Sequence, residues 1–184
     1  VINHEKFVDL QKEVKSDLNT IYYRDTPIFS DPRNKKLGAR IFSNLEKLYL
    51  TIKKLNLKII DSSEYYSLAH ELGVPEKGQV NLKDQLFGLE ANFEKLQAID
   101  FKKGCFIGQE NTARMKLKNK LRRRLLPISS NEKLNIGDEV IYNDIKIGKI
   151  LIDKPYPFGL IKIIDPHLEE FKNCLLYTSP SPRD

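Results

Sequence analysis

The spacing of apolar positions changes along the chain. Leu45, Leu48, Tyr49, Ile52 and Leu55 recur three and four apart, which predicts an amphipathic helix over 44–57. A second helix is predicted from Asp61-Ser62-Ser63-Glu64 through Tyr65, Leu68 and Leu72. A Ser there can accept from an unpaired backbone N–H, and acids favour a helix N-terminus. Gly73 should stop it, with Pro75 just beyond. Upstream, Phe7, Tyr22, Ile28 and Phe29 are strand formers, and Asp31-Pro32-Arg33 marks a turn before Leu37–Phe42. Residues 6–43 are therefore read as extended chain with turns.

Residues 78–104 are mixed: an apolar knot of Leu86, Phe87 and Leu89, a short helix over 93–98, then loop. A helix is expected over 109–118. From Arg123 the period shortens. Leu125, Leu126 and Ile128 form one β segment, and Val140-Ile141-Tyr142 and Ile145-Lys146-Ile147 flank Asn143-Asp144, a plausible type I′ hairpin turn. Gly148 to Ile152 continues that strand, and 158–164 supplies another. The expected class is α+β, with a small barrel or sandwich after a boundary near 119–124. The last stretch, Leu175 to Asp184, has no period and two Ser-Pro steps; 174–184 is read as a non-native tail.

Charge changes the picture. The net charge is +6, yet residues 102–124 hold nine basic side chains and one acid, Glu110. Such a field attracts an anion, whether nucleic acid, a polyglutamylated or phosphorylated small molecule, or an acidic partner. The alternative is a solvated helix face followed by a basic linker. No apolar run approaches the roughly 20 residues that span a bilayer. Cys105 and Cys174, with His4, His70 and His167 scattered, lack zinc-ligand spacing. No stably bound metal is expected.

Two places stand out chemically. In Lys102-Lys103-Gly104-Cys105-Phe106-Ile107-Gly108-Gln109-Glu110 two glycines bracket a short apolar segment, as where a backbone passes close to a ligand or strand. Two lysines and a nearby helix start would favour the Cys105 thiolate; the alternative is a small buried hydrophobe. In Leu89-Glu90-Ala91-Asn92 a carboxylate sits among apolar residues and is costly unless paired. A flat heterocycle with ring N–H and amino donors would suit it, with Asn92 adding an amide; the alternative is a surface turn with a capping acid.

The run Lys103-Gly104-Cys105-Phe106-Ile107-Gly108-Gln109-Glu110 resembles the K-G-C-[YF]-x-G-Q-E signature of the YgfZ family, folate-binding relatives of the glycine-cleavage T protein. Asp31-Pro32-Arg33 with Leu37-Gly38-Ala39-Arg40, Gly73-Val74-Pro75-Glu76, Leu89-Glu90-Ala91-Asn92 and Thr112-Ala113-Arg114 fall in that family's order. The resemblance spans about residues 20–165. It implies a T-protein-like folate-binding α/β body over 1–120, its N-terminal part missing, and a C-terminal β-barrel over 121–173. The chain is thus expected to be truncated at both ends and poorly soluble.

The resemblance also implies a function: binding tetrahydrofolate and supporting iron–sulfur cluster assembly or repair, including in radical enzymes that modify tRNA. Glu90 matches the carboxylate that holds the pterin, with Asn92 beside it; Lys103 and Arg114, with Lys102, would attract the glutamate tail. Cys105 is the hallmark thiol, a soft ligand suited to holding a cluster transiently. One Cys cannot hold a cluster alone, so a partner must supply ligands. Expected partners are iron–sulfur assembly proteins and client enzymes, with nucleic acid only indirectly involved, no membrane, and a monomeric chain. An accessory role is favoured over catalysis. The alternatives are a tetrahydrofolate-dependent aminomethyltransferase and an RNA-binding module using 102–124, although no RRM-like motif is present. The Lys/Asn/Ile-rich composition points to a bacterial cytoplasm ahead of the mitochondrial matrix.

Overall fold

A computed structural model describes residues 1–104, 106–118, 121–142 and 144–163. Cys105, Asn143, Ile164, His167, Cys174 and the tail fall outside them. The chain divides into two units, Val1–Tyr65 and from Tyr66 onward.

The first unit corrects the expectation of extended chain over 6–43 at its start, because His4–Glu13 forms a helix, α1. Asn3 Oδ1 accepts from the Lys6 N–H at 3.1 Å, which satisfies one of the free donors of the first turn. Phe7 and Leu10 are buried on one face, with Val14 packed beside them. Phe7, Leu10 and Val14 alone make that face, and Val8 falls off it, which leaves too thin a stripe to stand out by period.

Three strands follow: β1 (Thr20–Tyr23), β2 (Thr26–Ser30) and β3 (Ala39–Ile41), in an antiparallel sheet of order β1-β2-β3. Arg24 and Asp25 both take positive φ, 51° and 60°, as a hairpin turn matched to strand twist requires. Ile2, Phe7, Leu10, Ile21, Tyr23, Ile28 and Ala39 form the core of this unit.

The segment 31–40 is a knot around one carboxylate. Asp31, 2 % exposed, accepts from the Arg33 backbone N–H at 3.0 Å, from Arg33 Nε at 2.9 Å and Nη2 at 2.7 Å, and from Arg40 Nε at 3.1 Å. Arg33 Nη2 also donates to Tyr65 Oη at 3.2 Å. Burial alone would raise the Asp31 carboxyl, but the hydrogen bonds and charge of Arg33, with Arg40, hold it below its usual range. Gly38 completes the knot with φ 82°; a Cβ there would lie 1.9 Å from the Ile2 carbonyl oxygen. The following residue, Ala39, pairs with Ile2.

The predicted helix at 44–57 is α2 (Leu45–Lys54), capped by Asn44 Oδ1 accepting from the Lys47 N–H at 2.8 Å. It buries only Thr51, and Leu45, Tyr49 and Leu50 are exposed. The next, α3 (Ser62–Glu71), begins as expected, but the capping side chain is Asp61, whose Oδ1 accepts from the Ser63 N–H at 2.7 Å. Gly73 follows with φ 81°.

In the second unit β4 (Arg123–Pro127), β5 (Glu139–Tyr142), β6 (Ile145–Ile152) and β7 (Phe158–Lys162) pair antiparallel in the order β4-β7-β6-β5. Among the described residues this is an open sheet with β4 and β5 at its edges, and not the closed barrel expected. Tyr142 pairs with Ile145 across the predicted two-residue turn, where Asp144 has φ 62°. Leu125, Leu151, Ile152, Phe158 and Leu160 pack with Leu82 and Leu86 in one cluster; Ile147 and Ile161 pack with Leu126, Ile128, Val140 and Tyr142 in another. Alternation along β7 sends Phe158 and Leu160 to one cluster and Ile161 to the other.

His70, at the end of α3, is fully buried. Its Nε2 accepts from the Lys77 N–H at 3.0 Å, so its Nδ1 carries the proton and donates to the Tyr156 carbonyl at 3.0 Å. The ring meets Phe158 edge-on at 5.2 Å. Burial, the largest influence, pushes the imidazole below its ordinary value of 6.5.

Residues 93–98 do not form the predicted helix. Asn92 and Gln97 take φ of 61° and 57°, which interrupts the right-handed path, and the segment folds as successive turns.

Candidate functional site

Glu90 and Asn92 are brought together on strand β4. Glu90 is 4 % exposed. Its Oε1 accepts from Arg123 Nε at 2.9 Å; its Oε2 accepts from Arg123 Nη2 at 3.1 Å and from the Phe87 N–H at 3.0 Å. Its backbone carbonyl accepts from the Leu125 N–H at 2.8 Å. Asn92 Nδ2 donates to the Leu125 carbonyl at 2.7 Å, and Arg124 Nη1 lies 3.5 Å from Asn92 Oδ1. The buried carboxylate is thus paired, as its desolvation requires, by an Arg whose side chain is 41 % exposed. Leu89 and Ala91 are buried as the apolar neighbourhood suggested, whereas Phe87 is 56 % exposed.

Around the signature the chain forms a turn (Phe101–Lys103), then α4 (Glu110–Leu117), close to the helix predicted at 109–118. Asp100 Oδ1 accepts from the Lys102 N–H at 2.9 Å. The Gly108 N–H donates to Glu110 Oε2 at 2.9 Å, and the Phe106 N–H reaches Gln109 Oε1 at 3.4 Å. Gln109 and Glu110 therefore shape the turn that leads into α4. Gly104 and Gly108 have φ of 86° and 92°, and nothing lies within 4 Å of where a Cβ would stand. They supply left-handed backbone, and among the described residues no neighbouring strand approaches them. Lys103 and Arg114 are exposed, as are Phe106 and, completely, Ile107. Cys105 lies outside the described residues.

Among the described residues the basic side chains are distributed over the turn at Phe101–Lys103, α4 with its cap Lys118, and the start of β4 with Arg122 just before it. Beside Asn92 a cavity of about 80 Å³ opens among Leu89, Lys95, Met115, Lys116 and Arg124. Sequence reasoning missed Arg123 as the partner of Glu90, and missed Lys95 and Arg124 as lining residues. The available signal was the run Arg122-Arg123-Arg124 entering a strand. Alternation must send neighbouring arginines to opposite faces, so one of them can meet a buried acid.

No protein-family model matches the chain. It is similar to curated iron–sulfur cluster assembly factors. The IBA57 homolog of Dictyostelium discoideum is 28% identical over 127 residues, 66% of this chain and 31% of the relative. That of Neurospora crassa is 28% identical over 141 residues, 76% of this chain and 29% of the relative. The IBA57 protein of Mus musculus is 31% identical over 104 residues, 56% of this chain and 28% of the relative. The chain spans less than a third of the length of these relatives. All three are named as mitochondrial, which overturns the expectation of a bacterial cytoplasm. Among the described residues no helix is long and apolar enough to cross a membrane.

Proposed function

We propose that the protein carrying this chain acts in iron–sulfur cluster assembly in the mitochondrion, with Cys105 as its functional thiol and tetrahydrofolate as its small-molecule ligand. The observation that carries the first part is the similarity to iron–sulfur cluster assembly factors over as much as 76% of the chain, joined to the eight-residue signature around Cys105. A T-protein-like fold, with a folate-binding body over 1–120 and a second domain over 121–173, belongs to the same proposal. Cys105 supplies one thiolate to a cluster in transit, and an assembly protein or client enzyme, including tRNA-modifying radical enzymes, supplies the others.

Folate binding is tested more sharply by the geometry. A carboxylate has about four acceptor directions, and three at Glu90 are filled by Arg123 and the Phe87 N–H. The pterin edge presents two neighbouring N–H donors, the same fork that the Arg123 guanidinium presents. As it stands, the site does not fit that edge; it fits once the half-exposed Arg123 turns outward. Lys103 and Arg114, both exposed, remain the proposed attraction for the glutamate tail.

The test has two parts. Cells depleted of the protein are complemented with the full-length wild type or Cys105→Ser, and iron–sulfur enzyme activities are measured. Cys105→Ser should accumulate normally yet fail to restore them; full restoration would remove the thiol from the mechanism. Calorimetry with tetrahydrofolate should show binding that is lost in Glu90→Ala, kept in Cys105→Ala, and tightened in Arg123→Gln. A wild type and an Arg123→Gln variant that both ignore folate would end that part of the proposal.

A further inference from the structure

Among the described residues β3 has a strand, β2, along one edge only. On its other edge Ile2 alone meets it, in an isolated antiparallel bridge. The Ile2 N–H donates to the Ala39 carbonyl at 2.8 Å, and the Ala39 N–H donates to the Ile2 carbonyl at 2.9 Å. Two such bonds between one pair of residues are the repeating unit of an antiparallel ladder. We propose that the segment joined to Val1 in the full-length protein continues from this pair as a further strand, antiparallel to β3, on its outer edge.

The register follows from alternation. The Phe42 N–H donates to the Pro27 carbonyl at 3.2 Å, so Phe42 and Arg40 turn their backbone groups toward β2, and Ala39 and Ile41 turn theirs away. Ile41 therefore offers an N–H and a C=O to whatever lies opposite. With Ile2 opposite Ala39, Val1 stands opposite Arg40 and the residue before Val1 opposite Ile41. The second residue before Val1 stands opposite Phe42. Alternation also places the residue before Val1 on the face of Ile2, whose side chain belongs to the core.

The same edge has unmet needs. Ser43 Oγ is buried with no hydrogen-bond partner among the described residues, a costly state for a hydroxyl. A strand that runs on past Ile41 brings backbone donors and acceptors alongside Ser43. Apolar surface is open just beyond: Phe42 is 78 % and Leu45 84 % exposed, and α2 buries Thr51 while Tyr49 stays in the open. Reach decides the occupant. The matched stretch is less than a third of each curated relative, so those relatives carry much chain besides. The part directly joined to Ile2 has no loop to close, whereas a second copy adds the cost of association. This assignment does not depend on folate or on Cys105.

The experiment uses the full-length protein. Phe42→Cys is combined with a cysteine at the second residue before Val1. The two then form a non-hydrogen-bonded pair on the outer face, with Cα atoms about 4.5 Å apart, close enough to bridge. Mild oxidation should give that disulfide within one chain, located by peptide mass mapping. Moving the second cysteine to the residue immediately before Val1 sends its side chain to the opposite face, and the disulfide should be lost. In the unmutated protein the Ile41 amide should exchange about tenfold or more slowly than in a free peptide, the least that one hydrogen bond supplies. Exchange of Ile41 at the free-peptide rate overturns the proposal. So does a missing disulfide in the first variant, or an equal yield in both. A disulfide linking two copies of the Phe42→Cys chain also overturns it and makes the occupant a second chain.

Discussion

Asp31 and Glu90 are both buried carboxylates gripped by an arginine fork, yet the two grips differ in reach and in closure. Asp31 is held by Arg33, two residues away, and by Arg40, nine away. One of those arginines is itself tied to Tyr65. Glu90 is held by a single arginine from 33 residues away, with a side chain 41 % exposed. A carboxylate saturated inside its own loop has a structural task. Under the proposed function, one retained by a single, part-exposed cation exchanges that partner for a ligand.

That contrast can be broken by measurement. The largest effect is expected from Asp31→Ala. It strands Arg33 and Arg40 and opens the 31–40 knot, costing about 3 kcal/mol of stability, read from the midpoint of urea unfolding. Glu90→Ala should cost less, about 2 kcal/mol, because Arg123 can turn to water. A Glu90 variant that destabilises more than the Asp31 one would make the 89–92 turn the more structural of the two.

The smallest effect is a pH dependence that separates the units. The folded-state imidazole of His70 is depressed below 6.5, so the unfolded chain binds more protons below that value. The stability that His70 contributes is complete above about pH 6.5 and falls as pH drops through the folded value. The Asp31 carboxyl is depressed from 3.8, so its contribution persists until the solution is far more acidic. Amide exchange between pH 7.5 and 5.5, corrected for intrinsic rates, should accelerate around Tyr156–Phe158 and remain steady around Asp31–Arg40. Equal acceleration in both places would show that His70 is not the proton-sensitive staple.

Much of this was legible in the sequence wherever one local rule governed. Leu45 to Leu55 announced α2, Gly73 ended α3, and Asn143-Asp144 placed the β5–β6 hairpin, because periodicity and turn chemistry act over a few residues. Helix α1 was missed because its apolar stripe is thin, and the 93–98 helix was wrongly expected because two residues leave the right-handed region. The burial of Glu90 was suspected from its apolar neighbours. The identity of its partner was not, since pairing across 33 positions is decided by how β4 docks. The glycines of the signature supply positive φ with no neighbouring strand against them, whereas Gly38, within the Leu37-Gly38-Ala39-Arg40 motif, is where the backbones meet.

The two bonds to Leu125 carry one more meaning. Strand β4 is an outer strand of the second sheet, and such a strand exposes amide and carbonyl groups able to recruit another chain. Here the Glu90 carbonyl takes the outward N–H of Leu125, and the Asn92 amide takes its outward C=O. The turn nominated for ligand binding is therefore also a cap against edge-to-edge aggregation, and any ligand that remodels it has to leave that cap in place.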